Sequence, residues 1–320
     1  MDSATMKKIP ATKKKEQRRR RRWHKNKLQL LSMCTIPMLL VFIFQYLPMG
    51  GLVLAFKDYR YDLGIFGSSW VGMKNFDFVL RSNDFFRIAR NTIVLNALFI
   101  VVGLVVAVAL AIMLYDVKRR IFVKTYQTIL IIPYYLSWVI VGYMTYAMLN
   151  PAYGTINSML QMFGLSKVDW YGEPAYWPAI LTIANTWKNM GINCVMYYAA
   201  LMGIDHSYFE AAEIDGANKW QVTRYITIPS LVPLMTILTI LSIGNIFRAD
   251  FGLFYQLTRD VGALYSTTDV MDTYIYRVMR SIGDIPMSTA VGFLQSIVGF
   301  VLVLLTNYIV NRIEPDNALF

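Results

Sequence analysis

The sequence predicts an all-α integral membrane protein with six transmembrane helices. Of its 320 residues, 56% are hydrophobic and only 16% are charged, which is far from the balance of a soluble domain. The apolar residues gather into six runs, and each run is long enough to cross a bilayer core as a helix, which takes about 20 residues. The six runs are residues 28–56, 88–115, 125–149, 176–201, 231–249 and 288–312.

Residues 1–27 precede the first run and carry most of the positive charge. They hold twelve basic residues against Asp2 and Glu16, whereas the net charge of the whole chain is +11. A basic run directly before a span holds the N-terminus in the cytoplasm, and binding to nucleic acid or anionic lipid is the weaker alternative. We therefore expect a disordered basic cytoplasmic tail over 1–27 that binds no nucleic acid, and one six-span domain over 28–320 in contact with membrane lipid.

The same assignment orients the remaining loops. With six spans and an internal N-terminus, the C-terminus is also cytoplasmic, as are the basic loop 116–124 and the loop 202–230. The external segment 57–87 carries both charge signs, so the orientation depends mainly on the tail and on the loop 116–124.

The histidines and cysteines indicate no catalytic or metal site. Cys34 and Cys194 lie within predicted spans, and His24 and His206 lie in the tail and in a loop, so they form neither a metal-spaced cluster nor a nucleophilic triad. The chain also has no G-x-x-x-x-G-K-[ST] phosphate loop. If ATP is used, another protein binds it.

No ion-coupled transport mechanism is indicated either. Proton-coupled transporters generally keep an ionisable carboxylate inside the membrane, but the six runs contain no Asp or Glu. Paired helices that are broken by Gly or Pro in two repeated halves are also not evident. The energy source is therefore expected to lie outside this chain.

The stretch "EAAEIDGANKWQVTRYITIP", residues 210–229, is a polar segment between two apolar runs. Ser207 and Glu210 fit an S-x-x-E capping box that starts a short helix, and Gly216 suits a helix end with positive φ. Residues 220–226 then predict a second short helix, with Pro229 at the start of the fifth span. The residues alone leave two interpretations open: a docking element, or an amphipathic loop on the membrane surface.

The same stretch resembles a known family. It matches the pattern E-A-A-x-x-x-G followed by I-x-x-P, found in permease subunits of ATP-binding cassette (ABC) importers, and "YFEAAEIDGA" is similar to the sugar-importer permeases. The block "DFGLFYQLTRDVGALYSTTDVMDTYIYR", residues 250–277, and the ending "EPDNALF" resemble the branch associated with polysaccharide-derived oligosaccharides. The resemblance extends from residue 28 to the end of the chain.

This resemblance implies the type I ABC importer permease fold with a cytoplasmic coupling helix in the loop 202–230. The coupling residues that contact the ATPase would be Glu210, Ala211, Ala212, Asp215, Gly216 and Pro229, with both alanines giving close approach. The implied partners are a second homologous permease subunit, two cytoplasmic ATPase subunits and an extracellular solute-binding protein that delivers the oligosaccharide. The chain would then be a transport subunit in the bacterial cytoplasmic membrane, working by alternating access. It would be no enzyme and hold no cofactor, because the ATPase binds ATP and Mg²⁺.

Polar side chains within the spans are candidates for the substrate pathway. The fourth span carries amides and a tyrosine at steps of four, which form one slanting stripe, and a lysine beside them. The candidates are Tyr134, Trp138, Asn185, Lys188, Asn189, Asn193, Tyr197, Asn245 and Arg248. Amides and aromatic rings suit sugars, but hydrogen bonding and packing between helices is the alternative for each. For Lys188, no carboxylate of these spans is available as a partner, which leaves a partner from a second permease or a substrate. Lys188 or Arg248 is therefore a candidate to bind a carboxylated sugar.

Two other functions remain open. A permease for another polar solute, such as an osmolyte or an amino acid, would show no defect in oligosaccharide uptake when deleted. A membrane scaffold or signalling protein, whose loop docks a partner that is not an ATPase, would support no substrate flux.

Overall fold

The computed structural model describes residues 25–77, 83–313 and 315. Residues 1–24 of the predicted basic tail and most of the ending "EPDNALF" lie outside the described residues, and residues 25–27 form the first turn of a helix. The chain divides into two compact units, one ending at Gly51 and the other beginning at Leu52.

The first unit is a single helical rod that changes its winding along its length. It begins with α1 (Lys25–Val41), passes through a π turn (Phe42–Tyr46) and continues as 3₁₀ helix (Leu47–Phe56) across the unit boundary. Large apolar side chains such as Met38 and Phe44 are exposed along it, which suits a helix that faces lipid. The first predicted span is confirmed.

In the described part of the second unit the regular structure is helical, with one ribbon of two short antiparallel strands, β1 (Lys57–Asp58) and β2 (Ser69–Trp70). Its α-helices in chain order are α2 (Gly64–Gly67), α3 (Asn83–Tyr115), α4 (Arg120–Ile131), α5 (Trp138–Leu149), α6 (Thr155–Met162), α7 (Trp177–Leu201), α8 (Ser207–Ile214), α9 (Lys219–Val222), α10 (Ile228–Gly244), α11 (Phe251–Thr258), α12 (Tyr265–Thr268), α13 (Met271–Arg277) and α14 (Ile285–Ile313). Single 3₁₀ turns cover Lys74–Phe76, Ile132–Tyr135, Pro174–Tyr176 and Gly262–Leu264, and π turns cover Thr223–Thr227 and Val278–Ile282.

Four helices of the described residues are long and apolar enough to cross a membrane. They are Gln29–Phe56, Asp84–Tyr115, Lys219–Gly244 and Ile285–Arg312. Three of them contain or closely match the first, second and sixth predicted spans. The bounds of the fifth predicted span, 231–249, were wrong, because its helix begins at Lys219 and ends at Gly244, and residues 245–249 follow it as a turn and irregular chain. The fourth predicted span is α7, a continuous helix of 25 residues. At 1.5 Å per residue α7 is long enough to cross the bilayer, but its amides and Lys188 give it a lower hydropathy than the other four helices.

The third predicted span is not one straight helix. Arg120–Tyr135 and Trp138–Leu149 meet at an angle of 93°. Pro133 has no N–H to continue the helical hydrogen bonds, and the side chain of Ser137 accepts a hydrogen bond from the backbone N–H of Ile140 (3.4 Å), which starts a new helix. These residues break the expected helix over 125–149 into α4 and α5.

Close helix contacts bring the polar side chains of α7 into position. Helix α3 packs along α7, α4 packs against α7 at the break, and α11 packs against α5. Gly191 permits one of these contacts, because a Cβ atom there would lie 2.0 Å from the carbonyl oxygen of Leu130. One apolar core surrounds Trp177 and Leu253, and a second surrounds Leu201 and Leu231.

Candidate substrate pathway and coupling surface

A cavity of about 500 Å³ lies between α3, α7 and α10. Its polar lining includes the amides of α7 and a short segment that follows α10. The lining residues are Asn96, Phe99, Ile100, Gly103, Leu104, Ala107, Asn185, Asn189, Asn193, Met196, Tyr197, Leu238, Thr239, Leu241, Ser242, Asn245, Ile246, Arg248 and Asp250. A polar cavity of this size between apolar helices has room and hydrogen-bonding groups for a polar solute.

Six of the nine predicted pathway residues line this one cavity, namely Asn185, Asn189, Asn193, Tyr197, Asn245 and Arg248. Sequence reasoning missed Asn96, Ser242 and Asp250. Asn96 is one of two amides, with Asn91, in the otherwise very apolar run 88–115, which was a usable signal. Asp250 was set aside because it lies just beyond the fifth predicted span. Substrate contact by all of these side chains stays a prediction.

Hydrogen bonds within the protein orient the amides. The Nδ2 atom of Asn189 donates to both the backbone and the side-chain oxygen of Asn185, each at 3.0 Å. Asn96 Nδ2 donates to the carbonyl oxygens of Ile246 (2.9 Å) and Arg248 (3.1 Å), which ties α3 to the segment after α10. The lining is therefore held in place by its own contacts before any solute enters.

Two opposite charges lie at the end of the cavity nearest this segment. The guanidinium of Arg248 is exposed and donates to Ser296 Oγ at 3.2 Å. The Oδ2 atom of Asp250 accepts a hydrogen bond from the indole N–H of Trp138 at 2.6 Å, and its Oδ1 atom caps α11 by accepting from Leu253 N at 3.3 Å.

Residues 250–277 make hydrogen bonds and ion pairs next to the end of the cavity where Arg248 and Asp250 lie. The Oδ2 atom of Asp272 accepts hydrogen bonds from the backbone N–H of Ala249 (2.7 Å) and from Gln295 Nε2 (3.3 Å), and burial raises the pKa of the Asp272 carboxyl. Farther along, Arg277 pairs with Asp260 at 2.9 Å and with the buried Asp269 at 2.6 Å. These contacts fix the segment that carries Arg248 and Asp250.

Lys188 occupies a different site from the one expected. Its side chain is only 8% exposed, and its ammonium group donates to the carbonyl oxygens of Tyr134 (2.8 Å), Pro133 (3.4 Å) and Leu136 at the break between α4 and α5. The ammonium also lies 5.6 Å from the ring centre of Tyr134 and 5.2 Å from that of Trp138. The expectation of an unpaired cation in the pathway was wrong, because the carbonyls freed by the broken helix bind it.

Tyr134, Trp138 and Lys188 thus form a separate group, which we call the break cluster, and none of the three lines the cavity. Trp138 touches the cavity only indirectly, through its hydrogen bond to Asp250. Among the described residues, no three of His, Cys, Asp and Glu come together as metal ligands.

The predicted coupling helix is present as α8. Gly216 follows it with φ of 75°, a conformation that glycine adopts without strain, as expected. The predicted Ser207–Glu210 capping box is wrong, because Asp205 Oδ1 accepts the hydrogen bond from Ser207 N at 3.0 Å instead. That hydrogen bond lowers the pKa of the Asp205 carboxyl, so its negative charge is held at the N-terminus of α8.

The capping box occurs one helix later. Asn218 and Gln221 exchange hydrogen bonds between side chain and backbone at 2.9 and 2.8 Å, and they start a helix at Lys219. Residues 220–226 are helical as predicted, but they are not a separate helix, because the winding continues through the π turn Thr223–Thr227 into α10 and ends at Gly244. Pro229 donates no helical hydrogen bond, and the chain accommodates it directly after the π turn Thr223–Thr227.

Most of the predicted coupling residues face outward. Ala212 is buried against its own chain, whereas five of the six residues are exposed, namely Glu210, Ala211, Asp215, Gly216 and Pro229. The expectation that a partner approaches Ala212 closely was wrong, because Ala212 lies on the face of α8 that packs against the rest of this chain. Sequence reasoning missed the exposed apolar side chains of the same surface, which are Tyr208, Ile214, Trp220 and Tyr225.

The buried face of α8 rests on the end of α3. The rings of Phe209 and Tyr115 are 5.6 Å apart, and Lys219 pairs with Asp116 at 2.8 Å. The coupling helix and the start of the helix that leads to the cavity are thus both attached to α3.

Comparisons with known proteins agree with this architecture. Residues 99–316 match the family described as "Binding-protein-dependent transport system inner membrane component". The chain is 32% identical to Protein LplB of Bacillus subtilis (strain 168) over 287 residues, covering 89% of this chain and 90% of LplB. It is 33% identical to the polygalacturonan/rhamnogalacturonan transport system permease protein YteP of the same organism over 274 residues, covering 86% of this chain and 85% of YteP.

A solved structure agrees as well. A chain from the crystal structure of a bacterial ABC transporter involved in the import of the acidic polysaccharide alginate superposes with a TM-score of 0.81. It is 32% identical in sequence and covers 91% of this chain and 97% of that chain. With the helical bundle, the coupling helix and a family match over more than half of its length, this chain belongs to the family of binding-protein-dependent transport system inner membrane components, the permease subunits of ABC importers.

Proposed function

We propose that this chain forms part of an importer for oligosaccharides, with acidic ones as its substrate class. The observation that carries the proposal is the polar cavity, in which three half-buried amides of α7 face the same space as the guanidinium of Arg248. Amides hydrogen-bond sugar hydroxyls, and an arginine binds a carboxylate through two parallel hydrogen bonds. The names of two similar proteins, which refer to polygalacturonan/rhamnogalacturonan and to alginate, support the acidic class.

The proposed importer has more subunits than this chain. A second homologous permease completes the pathway, an extracellular binding protein delivers the oligosaccharide, and two ATPase subunits bind ATP and Mg²⁺ on the cytoplasmic side. The chain spans the bacterial cytoplasmic membrane with both termini in the cytoplasm. The exposed side chains of α8, including Ile214 at 86% exposure, support an ATPase contact at that surface.

Alternating access follows from this arrangement. ATP binding closes the ATPase dimer and favours the form that is open to the outside, and hydrolysis resets the transporter. Because Phe209 of α8 packs on Tyr115 at the end of α3, and Lys219 at the start of α9 pairs with Asp116 just after α3, movement of this cytoplasmic loop is passed to a helix that lines the cavity.

The ATPase contact is tested by purification of the complex from detergent-solubilised membranes. The chain is expressed with its genomic neighbours, and wild type is compared with Glu210→Lys. Reversing the charge in the exposed coupling surface is expected to lose the ATPase while the second permease stays bound. Glu173→Lys is the matched control, because Glu173 is exposed but lies outside the coupling loop. An ATPase that stays equally bound to Glu210→Lys contradicts the proposed contact.

The substrate class is tested by ATP-dependent uptake into proteoliposomes that contain the complete complex. A galacturonic acid pentasaccharide and its methyl-esterified, uncharged form are compared with a small osmolyte and an amino acid. Faster uptake of the acidic pentasaccharide supports the proposal. Uptake of only the small solutes favours the alternative permease, and a complex that transports nothing and holds no ATPase favours a scaffold.

A further inference from the structure

The two charges at the end of the cavity do not pair with each other. Arg248 and Asp250 are two residues apart and line the same space. The ion pairs among the described residues, which reach to 4.0 Å, do not join them. Both side chains are exposed to the same space, so an ion pair between them would occupy the guanidinium that a substrate carboxylate would need.

Both oxygens of Asp250 are already engaged. Oδ1 caps α11, and Oδ2 accepts the indole N–H of Trp138 at 2.6 Å, a short hydrogen bond to a charged acceptor. Arg248 instead donates to Ser296 on α14. The carboxylate thus binds a member of the break cluster, and the guanidinium binds a different helix.

Trp138 is closely surrounded. The ammonium of Lys188 lies 5.2 Å from its ring centre. The backbone of Gly252 also lies against the ring, since a Cβ atom at Gly252 would lie 2.5 Å from Trp138 Cδ1. The indole therefore has little freedom to follow Asp250 if the carboxylate turns toward the cavity.

We propose that Trp138 is a positioning residue for charge selectivity: it holds Asp250 away from Arg248 and so keeps the guanidinium available for a substrate carboxylate. This inference rests on the proposed function, since it requires an acidic substrate. If the indole N–H is removed, Asp250 turns to Arg248 and competes with the substrate for it. Trp138 acts through Asp250 and has no place in the cavity lining.

The test measures KM and the maximal rate of uptake in the complete complex for the galacturonic acid pentasaccharide and for its methyl-esterified form. Trp138→Phe keeps the ring but removes the N–H. We expect the ratio of acidic to esterified transport efficiency to fall about fivefold, mainly through KM for the acidic form. Because the result is a ratio within one preparation, loss of folded protein cancels.

The double variant Trp138→Phe with Asp250→Asn distinguishes positioning from packing. Asparagine still caps α11 but has no charge to pair with Arg248. If Trp138 acts only through Asp250, adding Trp138→Phe to Asp250→Asn should change the ratio of acidic to esterified transport efficiency less than twofold. Trp170→Phe is the matched control, because it removes an indole hydrogen bond to Asn157 (3.0 Å) and neither residue lines the cavity, so it is expected to keep the wild-type ratio.

The outcomes separate the two proposals. An unchanged ratio in Trp138→Phe, or a lowered ratio that the double variant does not restore, overturns the role of Trp138 while wild-type uptake of the acidic pentasaccharide still supports the proposed function. Wild-type protein that imports neither pentasaccharide overturns the proposed function and this inference with it.

Discussion

The cavity amides and the ammonium of Lys188 lie on the same helix, yet their surroundings are opposite. Lys188 and Asn189 are neighbours in the chain, but adjacent residues point about 100° apart around a helix. Asn189 is half-buried and lines the cavity, whereas Lys188 is buried and donates to three carbonyls of the break. A polar residue within a span can therefore either line the cavity or bind backbone groups of a neighbouring helix. Its hydrogen-bond partners show which of these two roles it has.

The largest expected effect is on the break cluster. Lys188→Met leaves three carbonyls of the break without their buried donor, and we expect a loss of about 3 kcal/mol in the free energy of unfolding. Thermal melting of the detergent-solubilised protein measures the loss. Lys188→Arg keeps the donors and is expected to melt closer to wild type. A Lys188→Met protein that melts like wild type but loses acidic uptake would return Lys188 to the pathway.

The close contact of α4 with α7 gives the next largest effect. Gly191→Ala places a methyl group against the carbonyl of Leu130 and is expected to destabilise the protein by about 2 kcal/mol. Gly103→Ala is the matched control, since no atom lies within 4 Å of a Cβ there and the residue lines the open cavity. Equal melting temperatures for the two variants would contradict the tight packing at the break.

A smaller effect is expected for the charge in the cavity. Arg248→Met removes a charge-assisted hydrogen bond to the substrate, and the KM for the galacturonic acid pentasaccharide is expected to rise about tenfold. The esterified form should be affected less than threefold. Stability should change little because Arg248 is exposed. Equal KM changes for both substrates would argue against a carboxylate contact.

The smallest effect is expected for Asn189→Ala. Its amide donates only within α7, so we expect a stability change of about 0.6 kcal/mol or less. The KM for both pentasaccharides should rise about threefold, because one hydrogen bond to a sugar hydroxyl is lost whatever the substrate charge. Comparing the two variants tests the two roles of polar residues on α7. Lys188→Met should mainly lower the melting temperature, whereas Asn189→Ala should mainly raise the KM.

The spans, the coupling helix and the amide stripe could be predicted from the sequence because each depends on local composition or on period. Gly216 adopts positive φ as expected, and the stripe at steps of four lines one cavity. The partner of Lys188 could not be predicted, since its acceptors are backbone carbonyls that only the broken helix exposes. The same is true of Asp250, whose hydrogen bond to Trp138 joins residues 112 positions apart.

The continuous helix from Lys219 to Gly244 can transmit a movement from one of its ends to the other. Its 26 residues extend about 39 Å at 1.5 Å per residue, with the start of the helix beside α8 and the other end among the cavity residues. Rotation of such a rod by about 5° displaces its far end by about 3 Å, which is the scale of one hydrogen bond. A small movement at the proposed ATPase contact is thus geometrically sufficient to exchange the hydrogen-bond partners of a solute in the cavity.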